Sequence, residues 1–170
     1  MNPLRSVMKK LGHQRWFAAL ARPVLARMDR LAFWLTRGRF APTATVAPVM
    51  LLTTTGRRSG KKRTTPVMYI RADGGFVISS EDIGQERRAA WPLNLEADPQ
   101  ATVQIGRQTL ACRARRLDDD EVGPYWEKLV ADWPAHETYR QRSGRRHTFL
   151  LEPVVEGARA ERPRDSVVPA

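Results

Sequence analysis

Two rhythms divide this chain near residue 46. Before it, Leu4, Val7, Met8 and Leu11, and then Leu25, Met28, Ala32 and Leu35, recur at the three- and four-residue spacing of one helix face. Pro23 stands where a second helix can begin, because the first helical turn has no use for the missing N–H. From Val46 onward the apolar runs shorten. They predict strands at about 47–55, 64–71, 75–80, 101–106, 108–117 and 147–152, with tight hairpin turns at Asp73-Gly-Gly75 and Gly106-Arg107. One helix is predicted over 87–97, ending before Asp98-Pro99. A second runs from the acidic cap Asp118-Asp-Asp-Glu121 to about Asp132, with Val122, Trp126, Leu129 and Val130 on one face. A further short helix is expected from His136 to Gln141. Beyond Pro153 the chain is rich in Pro, Arg and Glu without a period, so a disordered tail is expected there.

Short strands joined by hairpins, with few long crossovers, predict a mainly β fold with helices (α+β): a small antiparallel barrel with helices packed on it. The expected organisation is a basic amphipathic helical arm over 1–40, a barrel domain over 41–153 and a tail over 154–170. At 170 residues the chain is long enough for a core without staples. The single cysteine, Cys112, excludes an internal disulfide and fits a reducing compartment. Arg15, Arg22, Arg27 and Arg30 break every apolar run that might serve as a signal peptide or a membrane span, so a cytoplasmic location is expected.

The net charge of +11 invites a nucleic-acid reading, but its distribution argues against one. Residues 1–40 hold nine Lys or Arg against the single acid Asp29, which is +8 of the +11. Trp16, Phe17, Phe33 and Trp34 stand among those cations. A basic helix with aromatics can lie on an anionic membrane surface, here the inner face of the plasma membrane; the other reading is a helix packed on its own domain.

A second basic feature is local. Between two predicted strands runs Gly56-Arg-Arg-Ser-Gly-Lys-Lys-Arg63, where five of eight side chains are cationic and glycines allow a tight fold. Such a loop suits a ligand with several anionic groups, since Arg grips phosphate or carboxylate with paired hydrogen bonds. A solvated basic hairpin is the bland alternative. The loop is not a nucleotide P-loop: three residues, not four, separate its glycines, and a strand, not a helix, follows it. No G-x-G-x-x-G or G-x-S-x-G occurs, and one Cys with three scattered His makes no zinc site, so no metal is expected.

The boxes Leu51-Leu-Thr-Thr-Thr-Gly-Arg-Arg-Ser-Gly60, Arg63-Thr-Thr-Pro-Val-Met-Tyr69, Ala90-Trp-Pro-Leu-Asn-Leu95 with Asp98-Pro99, and Leu150-Leu-Glu-Pro153 occur in this order. In that pattern, from about residue 20 to 153, the chain resembles the deazaflavin-dependent nitroreductase family, whose members use coenzyme F420. The resemblance implies a split β-barrel of the flavin- and deazaflavin-binding type. It also implies that Arg57, Arg58 and Arg63 hold the phosphodiester and glutamate tail of F420, with backbone donors from Ser59 and Gly60. Met68 and Tyr69 would lie beside the deazaflavin, and Trp91 and Asn94 on the helix closing the other side. Read without the family, Trp91 is a core aromatic and Asn94 a helix-surface residue.

Two stretches depart from the family's pattern. The stretch Ser79-Ser-Glu-Asp-Ile-Gly-Gln-Glu86 has Glu81 for a usual serine and Asp82 for a usual cation; Ser79, Ser80, Gly84 and Arg87 would still meet the cofactor, and Arg87 and Arg88 could restore the charge. An aromatic motif at the substrate pocket reads Trp133-Pro-Ala-His-Glu-Thr-Tyr139 here, which makes Trp133, His136 and Tyr139 the pocket candidates. Tyr139 is expected to hydrogen-bond the acceptor and His136 to donate a proton, because imidazole titrates near neutrality.

The activity implied is hydride transfer from reduced F420 to an electrophilic small molecule: a quinone, a nitroaromatic or an activated enone. Two alternatives stand beside it. One is a non-catalytic barrel that binds F420, a flavin, haem or a lipid, and the other is an FMN-dependent oxidoreductase. A monomer or a homodimer is expected, with no nucleic-acid partner.

Overall fold

A computed structural model of the chain describes residues 47–86 and 88–154, with Val24, Met28, Leu31 and Ala32 ahead of them. Most of the predicted arm, the predicted tail and Arg87 lie outside the described residues. Seven strands form the framework: β1 (Val49–Thr55), β2 (Lys62–Met68), β3 (Ile70–Ala72), β4 (Gly75–Ser80), β5 (Gln100–Ile105), β6 (Gln108–Arg116) and β7 (His147–Pro153). Among residues 47–154, three α-helices accompany them: α1 (Ala90–Ala97), α2 (Asp119–Asp132) and α3 (Ala135–Ser143).

All the strands pair antiparallel in one sheet, in the order β2-β1-β5-β6-β7-β4-β3. The two outermost strands, β2 and β3, are consecutive in sequence and separated by Tyr69 alone. One residue spans only about 3.5 Å, so the edges can be that close only if the sheet curls round on itself. Tyr69 is the corner, and its N–H donates to the carbonyl of Pro48 at 3.2 Å. The strand expected over 64–71 therefore breaks in two, and six predicted strands become seven. The expected split-barrel fold holds.

Alternation along the strands explains their continuous apolar runs, since successive side chains point to opposite faces. In β4 Phe76 and Ile78 enter the barrel interior with Met50, Leu52, Val103, Phe149 and Leu151. Val77 and Leu150 point the other way, to a second core with Ile70, Leu117, Val122 and Leu129, covered by α2. The predicted α2 face holds, with Val122 and Leu129 buried and Trp126 and Val130 half-buried. Its start is closed as the acidic run foretold: the N–H of Asp118 donates to Glu121 Oε2 at 3.1 Å.

The helix predicted from 87 starts only at Ala90, because the chain before it is held in another shape. Asp82, Ile83 and Gly84 form a left-handed turn with φ of 53°, 54° and 66°. For a β-branched residue such as Ile83 that conformation is unfavourable by about 1–2 kcal/mol. Tertiary contacts hold it. Asp82, almost wholly buried, accepts the N–H of Ala89 at 2.7 Å on Oδ1 and Arg145 Nε at 2.7 Å on Oδ2. Arg145 also donates to the carbonyls of Gln85 and Glu86 at 2.8 and 3.1 Å.

Candidate functional site

The basic loop folds as a turn closed on Gly56. Its N–H donates to the carbonyl of Lys61 at 2.8 Å, and its carbonyl accepts the N–H groups of Ser59 (3.1 Å) and Gly60 (2.7 Å). The backbone donors expected from Ser59 and Gly60 are thus consumed inside the turn. What the loop offers is side chains. Arg57, Arg58, Lys61 and Arg63 are exposed, and among the described residues none has a carboxylate partner. Lys62 is within reach of the Asp98 carboxylate, but the other four cations are crowded without such compensation, which suits a ligand carrying several anions.

Asn94 does not lie on the helix surface. Buried in α1, it donates through Nδ2 to Thr54 Oγ1 at 3.0 Å and accepts the N–H of Arg57 on Oδ1 at 3.1 Å. Its amide ties β1, α1 and the cationic loop together. Trp91, on the same helix, packs edge-on against Phe149 in the barrel interior, with ring centroids 5.9 Å apart. The core reading is the one its contacts favour.

Met68 and Tyr69 part company at the barrel corner. Tyr69 turns into the interior, edge-to-face with Phe76 at 5.6 Å. Met68 packs instead against Trp133, Ala135 and Tyr139, together with Ile83. A residue beside the cationic strand thus meets the predicted acceptor-pocket residues, as a continuous site requires. The described residues also line a separate cavity of about 400 Å³ beside Tyr69, Arg71 and Lys128, away from the cationic loop.

Trp133, the residue that ends α2, is brought against His136 and Tyr139 in the first turns of α3 by the tight corner between the two helices, and all three are more than nine-tenths buried. Burial pushes the Tyr139 phenol above its ordinary pKa and Glu81 adds to the rise, while a hydrogen bond from Trp133 and the charge of Arg142 oppose it. Tyr139 is therefore a neutral hydroxyl at physiological pH. His136 faces the edge of Trp126, whose ring lies 6.0 Å away. The Trp126 indole donates to Glu137 Oε2 at 3.2 Å, and Arg140 holds the Glu137 carboxyl below its usual range.

Ser79 and Ser80 are occupied by neighbours within the chain. Ser79 Oγ donates to Glu81 Oε1 at 2.5 Å, and Ser80 Oγ accepts the N–H of Asp82 at 3.3 Å. Gly84 lies so close to α3 that an added Cβ would meet Arg142 side-chain atoms at 3.2 Å and Tyr139 Cα at 3.3 Å. The charge at Asp82 is answered by Arg145, a residue no sequence motif singled out, while Arg88 stays exposed. Glu81, known from the sequence only as a departure, meets His136: Oε2 lies 2.7 Å from Nδ1. The two departures thus touch each other.

Comparisons with known proteins place the chain by its sequence in one family and by its fold beside a wider set of structures. The family described as F420H(2)-dependent quinone reductase matches residues 25–153. The F420H(2)-dependent quinone reductase Rv1261c of Mycobacterium tuberculosis is 27% identical over 116 residues, covering 66% of this chain and 78% of that one. Among solved structures, an F420-H2 dependent reductase, FDR-A, is 32% identical with a TM-score of 0.56, covering 62% of this chain and 94% of the other. A structure described as a domain-swapped dimer, 30% identical at a TM-score of 0.56, covers 73% of this chain and 95% of its own. A heme binding protein from Mycobacterium smegmatis, at 23% identity and a TM-score of 0.51, shares the fold alone. With a curled antiparallel barrel, an uncompensated cationic turn and a family match spanning most of its length, this chain belongs to the F420H(2)-dependent quinone reductase family.

Proposed function

We propose that this protein transfers a hydride from reduced F420 to a quinone, binding the cofactor's anionic tail at the cationic turn and the acceptor beside α3. The observation that carries the reading is the set of exposed cations, Arg57, Arg58, Lys61 and Arg63, without carboxylate partners among the described residues. Such a turn fits a phosphodiester with a run of glutamates better than the single phosphate of FMN. When bound, reduced F420 supplies the hydride; the protein supplies orientation and charge. Asn94 holds Arg57 in place, and Met68 connects the cofactor side to the acceptor side. Tyr139, a neutral hydroxyl, orients the acceptor oxygen, and His136 supplies the proton that a quinone needs after accepting a hydride. Nitroaromatics and activated enones are weaker candidates, since they rest on the family resemblance alone. Separate titrations with F420 and FMN, followed by oxidation of reduced F420 by a quinone and by a nitroaromatic, test the reading. Binding of F420 without turnover of any acceptor would favour a storage or carrier role instead.

The arm supports a second, independent reading, which is attachment to an anionic membrane surface. Val24, Met28 and Leu31 are helical at the spacing of one face, and they are 53%, 48% and 57% exposed. An apolar stripe on a segment of charge +8 suits the headgroup region, where each Lys or Arg contributes about 1 kcal/mol. No helix among the described residues is long and apolar enough to cross a membrane. Cosedimentation with anionic vesicles at low salt, lost at high salt and on removal of residues 1–40, is the expected result; a protein that stays in the supernatant at low salt rejects it.

A further inference from the structure

Glu81 uses both carboxylate oxygens inside the protein. Oε1 accepts the Ser79 hydroxyl at 2.5 Å, and Oε2 faces His136 Nδ1 at 2.7 Å. Ser79 Oγ also lies 3.1 Å from Thr148 Oγ1. Because Ser79's one proton is committed to Glu81, Thr148 must be the donor of that pair. The chain of hydrogen bonds runs from Thr148 on β7 through Ser79 on β4 to Glu81, and meets His136 on α3. Glu81 and His136 are only 2% and 6% exposed, so water does not compete for these positions.

A carboxylate that only accepts requires a proton on the ring nitrogen facing it. His136 Nδ1 therefore carries hydrogen, and Nε2 is the nitrogen left for another partner. Nε2 is itself buried and has no hydrogen-bond partner among the described residues. An orphaned buried polar atom is costly, and it calls for an explanation. The charged and titratable groups around the pair include Tyr139, Arg142 and Glu137 on α3, the last holding the Trp126 indole, the buried Asp82 next to Glu81, and Arg140 and Arg146, whose guanidinium groups lie 5.9 and 5.3 Å from the Trp126 ring centre.

We infer that Glu81 is the positioning residue for proton transfer at this site: anchored by Ser79 and Thr148, it holds His136 with Nδ1 protonated so that Nε2 delivers a proton to the acceptor oxygen. This rests on the quinone-reductase reading. A quinone that has accepted a hydride carries two more electrons and one anionic oxygen. His136 enters the step with hydrogen on both nitrogens. The Nε2–H bond breaks as an O–H bond forms, leaving a hydroquinone and a neutral imidazole whose Nδ1–H still points at Glu81. Once the hydroquinone leaves, water entering the acceptor's place returns the Nε2 proton before the next turnover. The acceptor oxygen is thus the partner that Nε2 lacks.

Glu81→Gln tests the assignment because an amide can reverse the pattern. Its oxygen still accepts from Ser79, but its NH2 then donates to His136 Nδ1. In that orientation the neutral ring carries its proton on Nε2, and losing that proton would create an imidazolate, so acid catalysis stops. Nitrogen-15 NMR of histidine-labelled full-length protein without cofactor, at alkaline pH, reads the tautomer; the signal is assigned by its loss in His136→Gln. Protonated Nδ1 is expected in the wild type and protonated Nε2 in Glu81→Gln. A wild type protonated on Nε2 overturns the inference. With reduced F420 and a naphthoquinone, kcat of Glu81→Gln should fall about 100-fold or more, the scale of general acid catalysis, while quinone KM and F420 affinity stay within about twofold. An unchanged kcat in a folded Glu81→Gln whose His136 is protonated on Nε2 sinks the inference alone, whereas a wild type that binds no F420 sinks the functional reading with it. Should Glu81→Gln fail to fold or keep the wild-type tautomer, the wild-type tautomer and kcat of His136→Gln decide, and an unchanged value of the latter overturns the assignment.

Discussion

Asn94 accepts the backbone N–H of Arg57 at 3.1 Å, so a buried amide in a helix holds the first cation of the binding turn. Its other end donates to Thr54 at 3.0 Å. Removing the amide leaves Thr54 and the Arg57 N–H to find other partners, and only the second lies near solvent. Asn94→Ala should lower stability by about 1–3 kcal/mol and weaken F420 binding as well. Urea unfolding and a fluorescence titration on the same variant check both. Loss of stability with unchanged affinity would reduce Asn94 to a core residue.

The cations themselves should act in the opposite proportion. Arg58→Ala and Arg63→Ala remove exposed side chains, so stability should change little. Affinity for F420 should fall by about 1.5–3 kcal/mol for each charged hydrogen bond lost. Added salt should weaken wild-type binding too, because an open loop is screened. Equal affinity in Arg57→Ala, Arg58→Ala and Arg63→Ala would remove the turn from the cofactor site.

Arg145 holds the strained turn through the buried Asp82. Arg145→Ala strands a carboxylate that is only 1% exposed, and should cost about 3 kcal/mol. Removing both groups, in Asp82→Ala with Arg145→Ala, should cost less than Arg145→Ala alone, because no buried charge is left behind. Denaturant midpoints of the two variants give the comparison. A double variant less stable than Arg145→Ala would mean that Asp82 acts mainly through the Ala89 N–H.

Cys112 gives a pH signature. Burial pushes its thiol up from 9.0 to about 11, so the folded state keeps a proton that the unfolded state releases first. Stability should therefore fall as pH rises from about 9 towards 11, and Cys112→Ala should flatten that decline. The same burial predicts slow alkylation of the native thiol at neutral pH and fast alkylation in denaturant. Rapid alkylation of the native protein would show that the strand pair around Cys112 opens readily.

Local order along this chain was legible because it depends on neighbours in sequence. The hairpins at Asp73-Gly-Gly75 and Gly106-Arg107, the acidic start of α2 and the crowding of cations between Gly56 and Arg63 all follow from residue type and spacing. The order of the boxes was enough to name the family. Trp91 was legible as a core aromatic, but the burial of Asn94, read as a helix-surface residue, was not, since burial depends on what a helix packs against.

Only the tertiary structure joined residues distant in the chain. It broke one expected strand at Tyr69, because the curled sheet needs a corner where its two edges meet. It delayed the start of α1, because Asp82 and Arg145, far apart in sequence, hold a left-handed turn that local preference disfavours. It also turned two separate departures into one device, since Glu81 and His136 are 55 positions apart yet 2.7 Å apart in space. Sequence spacing sets which side chains share a face of one element, whereas contact between elements is set by how their faces pack, and the chemistry proposed for this site depends on that second relation.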